Sequence, residues 1–127
     1  DLVNLEEVYA TAKKHADAPH HMGPMDSFSG HASITGPCGD TMEFWILVEK
    51  DKITKVSFIT DGCDPSRACG SMTTFMAEGR TIAGAKQISQ NDVLNALDGL
   101  PEDHEHCALL ATNTLKAACD DYLNKQK

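Results

Sequence analysis

The chain has 127 residues, a hydrophobic fraction of 41%, a charged fraction of 24% and a formal net charge of −8. This length predicts a single domain over residues 1–127 that can bury a core without disulfide bonds. The acidic charge argues against a nucleic-acid ligand, because neutralising phosphates requires clustered lysine and arginine side chains. No apolar run approaches the roughly 18–20 residues that a membrane span needs, so no membrane partner is expected.

The first residues lack the basic start and apolar stretch of a secretory signal. The five cysteines are an odd number without a secretory context. In a reducing compartment such cysteines are more often metal-binding, catalytic or buried than paired in disulfides. We therefore expect a cytoplasmic protein.

The first half of the chain predicts a helix followed by a small sheet. Apolar residues at three- and four-residue steps predict an amphipathic helix up to about Ala16, and a connecting loop follows over residues 17–30. Lys50 and Asp51 lie in a polar hairpin turn. Short turns between consecutive strands predict an antiparallel meander. The strand-like segments are residues 29–35, 41–49 and 53–60.

The second half of the chain predicts helices. Asp64 and Pro65 mark a helix start, with Asp64 as the N-cap, and Gly79 marks its end. Further helices are expected over residues 81–87, 91–97 and 103–123. Core positions are assigned on the helix that starts at Asp64 and on the final helix. They are Ala68, Met72, Phe75, Met76, Leu109, Leu110, Leu115, Ala118 and Leu123.

The order of elements is helix, three strands, then helices. This order predicts an α+β fold, in which a three-stranded antiparallel sheet has helices packed on one face. The fold would have an N-terminal helix and a long C-terminal helix.

Three cysteines lie at the ends of predicted elements. Cys38 falls in the turn between the first two strands, Cys63 precedes a helix start, and Cys107 lies near the start of the final helix. Asp40 and His106 lie within two residues of these thiols. Three thiolates, one carboxylate and one imidazole suit zinc, iron or an iron–sulfur cluster. The spacings are long and include no C-x-x-C pair, so taken singly each cysteine is more readily explained as a small buried side chain.

The two remaining cysteines are expected to pack in the interior. Cys119 follows two alanines on the final helix, which is typical of a core position. Cys69 lies inside the helix that follows Cys63, and a part for it in sulfur or metal handling stays open. His20 and His21 in the long loop are interpreted as a solvated or lightly packed pair rather than as metal ligands.

A cysteine hydrolase is a second interpretation of the same thiols. Cys107 would be the nucleophile and a histidine its base. The sequence shows no third orienting group, and we do not expect the adjacent His106 to reach its neighbour's sulfur.

Four motifs together resemble the IscU/NifU-type iron–sulfur cluster assembly scaffolds, whose domain is the NifU-like N-terminal domain. The resemblance extends over nearly the whole chain. The motifs are Cys38-Gly39-Asp40, Gly62-Cys63, Leu97-Asp98-Gly99-Leu100-Pro101 and His106-Cys107.

The resemblance implies a scaffold and not an enzyme. Such a scaffold accepts persulfide sulfur from a PLP-dependent cysteine desulfurase, assembles a labile [2Fe–2S] cluster from iron and sulfur, and transfers the cluster to iron–sulfur acceptor proteins. By residue match, the ligands would be Cys38, Cys63 and Cys107, with Asp40 or His106 completing the set. Cys107 would accept the persulfide, and Asp40 would keep the cluster labile.

The resemblance also implies partners and alternatives. An electron donor such as a ferredoxin would serve the assembly, Zn²⁺ often fills the same site in the protein as isolated, and the scaffold would be a monomer or a cluster-bridged dimer. His104 stands where a lysine is usual in the motif of a dedicated Hsp70 chaperone, so release by that chaperone is not expected. The string Cys69-Gly70-Ser71 lies six residues later than its family counterpart, which leaves Cys69 as a rival to Cys63. The alternative function is a zinc-containing sulfur acceptor that holds no cluster.

Overall fold

The computed structural model describes residues 9–37 and 39–126, and the elements below refer to these residues. The predicted start of the N-terminal helix falls on residues 1–8 and lies outside them. The elements are α1 (Ala10–Asp17), β1 (Gly30–Thr35), β2 (Thr41–Glu49), β3 (Lys52–Thr60), α2 (Asp64–Ala77), α3 (Ile82–Lys86), α4 (Gln90–Ala96) and α5 (His106–Lys125). A short 3₁₀ helix, Glu102–His104, precedes α5.

The three strands form one antiparallel sheet in the order β1-β2-β3. Lys50 and Asp51 join β2 to β3 with φ angles of 53° and 64°. Positive φ at both central residues is the geometry of a type I′ turn, whose twist matches that of the flanking strands. The predicted antiparallel meander is therefore confirmed, and its polar hairpin turn lies where it was expected.

The helices cover one face of the sheet and enclose the core. Met42, Phe44 and Ile46 alternate along β2 and are fully buried. The long helix α5 packs on β1 and β2, while α2 packs on β3 and α1 packs on α2. Because side chains alternate across a strand, these three residues share the face that the helices cover. The α+β class with a long C-terminal helix is confirmed.

Helix α2 approaches β3 closely because residue 70 has no side chain. A Cβ atom built at Gly70 would lie 2.3 Å from the ring of Phe58, which is itself fully buried. Since the ring has no free space into which to move, the glycine sets the distance between helix and sheet.

We expect Gly70→Ala to lower the free energy of unfolding by about 2–3 kcal/mol, because overpacking a closed core outweighs the helix propensity gained. Urea denaturation would measure this change. Gly84→Ala in α3 is the matched control, since the nearest atom to its added Cβ is the Thr81 hydroxyl at 3.2 Å. The control should change stability by less than about 0.5 kcal/mol. Equal effects of the two substitutions would contradict the packing argument.

Three core assignments and one cap from the sequence are wrong. Phe75, Leu109 and Leu123 are 58%, 44% and 38% exposed, because neighbouring elements cover other sides of their helices. The N-cap of α2 is Cys63, not Asp64. Asp64 is the first helical residue, and its carboxylate pairs with Arg67 three residues on.

The ends of α3 and α4 lie within one residue of their predicted bounds, whereas α5 begins at His106, three residues after its predicted start, because Glu102–His104 form a 3₁₀ helix. Thr81 and Ser89 cap α3 and α4, and each side chain accepts a hydrogen bond from a backbone N–H in the first turn. Within residues 9–37 and 39–126, no helix is both long and apolar enough to cross a membrane.

Candidate functional site

The turn between β1 and β2 brings Asp40 to the edge of the sheet. The backbone amide of Gly36 donates to the Asp40 carbonyl at 2.8 Å, and that of Gly39 donates to the Gly36 carbonyl at 3.0 Å. Gly39 has φ of +90°, which a residue with a side chain rarely adopts. Cys38, the first predicted ligand, lies outside the described residues.

Asp40 and Cys107 meet at one buried hydroxyl. The Oγ of Ser66 donates to Asp40 Oδ2 at 3.1 Å and lies 3.5 Å from Cys107 Sγ. Ser66 belongs to the first turn of α2, and Cys107 belongs to the first turn of α5. The β1–β2 turn and the N-terminal ends of two helices therefore converge.

Gly62 allows this convergence. A Cβ at residue 62 would lie 2.4 Å from Ser66 Oγ and 2.9 Å from Asp40 Oδ2. Any larger residue would push the carboxylate and the hydroxyl apart. Ser66 was not predicted from the sequence, since an ordinary helical serine carries no motif. Its only sequence indication is its position one turn after Gly62-Cys63.

Cys63 is the exposed thiol of the site. It is the N-cap of α2, and its side chain makes no capping hydrogen bond. Its sulfur therefore accepts no hydrogen bond from the backbone at the start of the helix.

Cys107 is the buried thiol of the site. Only 1% of its surface is exposed. His106 Nε2 lies 3.9 Å from Cys107 Sγ, so the expectation that His106 would not reach this sulfur is wrong. This contact favours the hydrolase interpretation, because it places a histidine next to the thiol. A hydrolase substrate, like any other reactant, would reach this sulfur only if the start of α5 opened, because the thiol is 1% exposed.

Cys69 and Cys119 are both fully buried, as expected. Burial raises the pKa of the Cys69 thiol well above its usual range, and the charges of Cys107 and Cys63 raise the pKa further. Burial also raises the pKa of Cys119, to about 11. A thiol that resists deprotonation is a poor metal ligand, since metals bind the thiolate.

The fold and the donor set together define a class of protein, an α+β domain with thiols and a carboxylate gathered at the N-terminal ends of two helices. Comparison with known proteins identifies the family. Residues 9–127 match the family model described as NifU-like N terminal domain, and this chain belongs to that family.

Curated relatives agree with this assignment. The iron–sulfur cluster assembly scaffold protein IscU 1 of Archaeoglobus fulgidus is 38% identical over 112 residues, which cover 87% of this chain and 73% of that protein. The scaffold protein IscU of Aquifex aeolicus is 39% identical over 111 residues, 85% of this chain and 71% of that one. The crystal structure of a NifU-like N-terminal protein from Brucella abortus superposes with a TM-score of 0.72 at 15% identity, covering 91% of this chain and 94% of that one, and supports the fold alone.

Proposed function

We propose that this chain is a scaffold on which a [2Fe–2S] cluster is assembled from iron and persulfide sulfur and from which it passes to acceptor proteins. The observation that carries the proposal is the convergence of Asp40, Ser66 and Cys107 beside the N-cap Cys63. Thiolates with one carboxylate are a donor set for iron and zinc. The relatives are named as scaffold proteins, which favours assembly over catalysis.

The proposed cluster ligands are Cys38, Cys63 and Cys107, with Asp40 as the fourth and His106 as its alternative. Asp40 is preferred because its carboxylate shares a hydroxyl with the Cys107 sulfur. Cys63 is preferred to Cys69 as the second thiolate. Its sulfur lies at an exposed helix N-terminus, whereas the Cys69 thiol is fully buried with a raised pKa.

Cys107 is the proposed persulfide acceptor. Its thiolate would attack the outer sulfur of a persulfide on a PLP-dependent cysteine desulfurase, which forms a Cys107 persulfide and releases the desulfurase thiolate. Reducing that sulfur to sulfide takes two electrons, which a ferredoxin-type donor would supply. Because Cys107 is 1% exposed, the start of α5 has to open when the desulfurase docks.

The domain organisation and setting follow from this function. A single domain over residues 1–127 would act in the cytoplasm, as a monomer or as a dimer bridged by the cluster. Zn²⁺ would fill the thiolate site when iron is absent. His104 at the usual lysine position argues against release by the dedicated Hsp70 chaperone.

Anaerobic reconstitution tests the proposal. The protein is incubated with ferrous iron, cysteine, a thiol reductant and a cysteine desulfurase, and the visible spectrum is followed while iron and sulfide are quantified. The charge-transfer absorption of a [2Fe–2S] cluster, with equal iron and sulfide, is expected. Retained zinc, a persulfide on Cys107 and no cluster absorption would instead favour the alternative, a zinc-containing sulfur acceptor.

Ser66→Ala tests whether the shared hydroxyl positions the ligands. We expect zinc affinity at the thiolate site to fall by about 10- to 100-fold, as is typical when a residue that orients metal ligands is removed. Competition with a chromophoric chelator measures this affinity.

The matched control for Ser66→Ala is Thr73→Val. This substitution removes another buried hydroxyl from α2, one that donates to the Cys69 backbone carbonyl. It should leave zinc affinity unchanged, whatever its effect on stability. An equal loss of affinity in both variants would show that Ser66 acts through helix stability and not through Asp40 and Cys107.

A further inference from the structure

Two histidines and a glutamate meet at the opposite end of α2 from the thiol site. His20 Nε2 lies 2.9 Å from one oxygen of Glu78, and His21 Nδ1 lies 3.1 Å from the other. One ligand atom from each of the three side chains lies within 4.8 Å of the other two. The sequence interpretation of a solvated or lightly packed pair fits their partial exposure, and the structure adds that both rings lie against the same carboxylate.

The backbone holds the two histidines in place without help from their rings. The backbone amide of His20 donates to the Ser71 hydroxyl at 2.7 Å, and its carbonyl accepts from the Thr74 hydroxyl at 2.9 Å. On the other side, the backbone amide of Phe58 donates to the His21 carbonyl at 3.2 Å. The loop is thus fixed to both α2 and β3. An ion that binds there would not have to order the loop, which lowers the cost of binding.

The electrostatic setting of Glu78 favours a cation. Glu78 is the C-cap of α2, where the helix dipole already places partial negative charge, and the last turn of the helix holds no basic residue. Arg80 lies just beyond the helix end and donates to the Met76 carbonyl. A carboxylate at a helix C-terminus is unfavourable unless positive charge compensates it.

We propose that His20, His21 and Glu78 bind one divalent transition-metal ion of the zinc type. Two imidazoles and one carboxylate form a donor set that zinc accepts, with water in the remaining position. A tetrahedral ion with bonds near 2.0–2.1 Å needs donor atoms about 3.4 Å apart, close to the observed 2.9 and 3.1 Å between each imidazole and the carboxylate. The two rings stack at 4.0 Å with an angle of 18° between their planes, so one ring has to turn for both nitrogens to point at the ion.

The proposed ion would be exchangeable and separate from the thiol site. The three side chains are 29%, 44% and 28% exposed, so water has access to the ion. The 14 residues of α2 lie between Cys63 and Glu78, which places the two residues about 22 Å apart along the helix axis. In the ion-free form the His20 ring hydrogen-bonds the carboxylate, and the His21 ring hydrogen-bonds the Val56 carbonyl at 3.2 Å while it lies beside the carboxylate. On binding, the ring nitrogens and the carboxylate would coordinate the ion instead.

Zinc titration of the full-length apoprotein against a chromophoric chelator tests this site. Two equivalents are expected in the wild type, the tighter at the thiols and the weaker at the histidines. His20→Ala and Glu78→Gln should each weaken only the second equivalent, by about 100-fold. Cobalt in the second site should lack sulfur-to-metal charge-transfer absorption, because its donors are nitrogen and oxygen.

His31→Ala is the matched control, since His31 pairs with Glu43 on the sheet without a second histidine. It should leave both equivalents intact. Cys63→Ala should remove the tight equivalent and keep the weak one, which separates this proposal from the cluster proposal. If His20→Ala unfolds the loop, the zinc affinity of Glu78→Gln alone tests the site. A wild type that binds one equivalent only, or a second equivalent that survives both substitutions, overturns the proposal.

Discussion

Cys63→Ala is expected to abolish stable cluster binding, with no cluster absorption left after anaerobic reconstitution and desalting. The reason is the loss of one of three thiolates, which carry most of the affinity for a soft iron–sulfur core. The exposed side chain of Cys63 caps no backbone group, so its loss should change the free energy of unfolding by less than about 0.5 kcal/mol. Loss of the cluster from a protein of unchanged stability would therefore report on ligation.

Cys119→Ala is the matched control. This sulfur lies in the core between α5 and its neighbours and is fully buried, so its removal should cost more stability than the loss of Cys63. It should nevertheless leave the cluster absorption unchanged. A cluster that survives Cys63→Ala and disappears in Cys69→Ala would move the second ligand to Cys69.

Asp40→Ala is expected to lengthen the lifetime of the cluster by about tenfold. A carboxylate oxygen is a harder donor than a thiolate, so the bond from iron to Asp40 is the one that incoming thiols replace most readily. A methyl group removes that exchangeable position and leaves His106, close to Cys107, to complete the ligand set.

The decay of cluster absorption in the presence of a chelator measures this lifetime. Asp61→Ala is the control, because this carboxylate bonds the Thr41 backbone amide on the outer side of the same strand end. It should leave the lifetime unchanged. Faster loss of the cluster from Asp40→Ala would contradict the view that Asp40 keeps the site labile.

The strands were predictable because the residues of the neighbouring turns determine where each strand begins and ends. Strand β2 has its predicted bounds, Thr41–Glu49, since a turn with glycine at positive φ precedes it and the Lys50–Asp51 turn follows it. Alternating side chains then define the buried face. These features act over a few residues, and a single sequence displays them.

The buried sides of the helices were less predictable. Phe75 and Leu109 have the spacing of core residues but lie exposed, because distant segments decide which side of a helix is covered. Phe75 faces the rings of His15 and His20 at the margin of the core. Periodicity alone cannot show which neighbours a helix will have.

The residues of the two sites also differ in how far the sequence indicated them. The thiols and Asp40 were proposed from the sequence because their residue types and motifs suggest metal binding. Ser66 and Glu78 were missed, since each acts only through partners brought close by the fold. Glu78 meets His20 across 58 residues of sequence, and Ser66 meets Cys107 across 41.

X-ray absorption at the zinc edge tests the central claim most directly. Apoprotein loaded with less than one equivalent of zinc should show three sulfur neighbours at about 2.3 Å and one oxygen or nitrogen neighbour at about 2.0–2.2 Å. This result would mean that thiols from separate elements share one ion. A shell of oxygen and nitrogen alone would contradict the account, because Cys38, Cys63 and Cys107 would then not share a site.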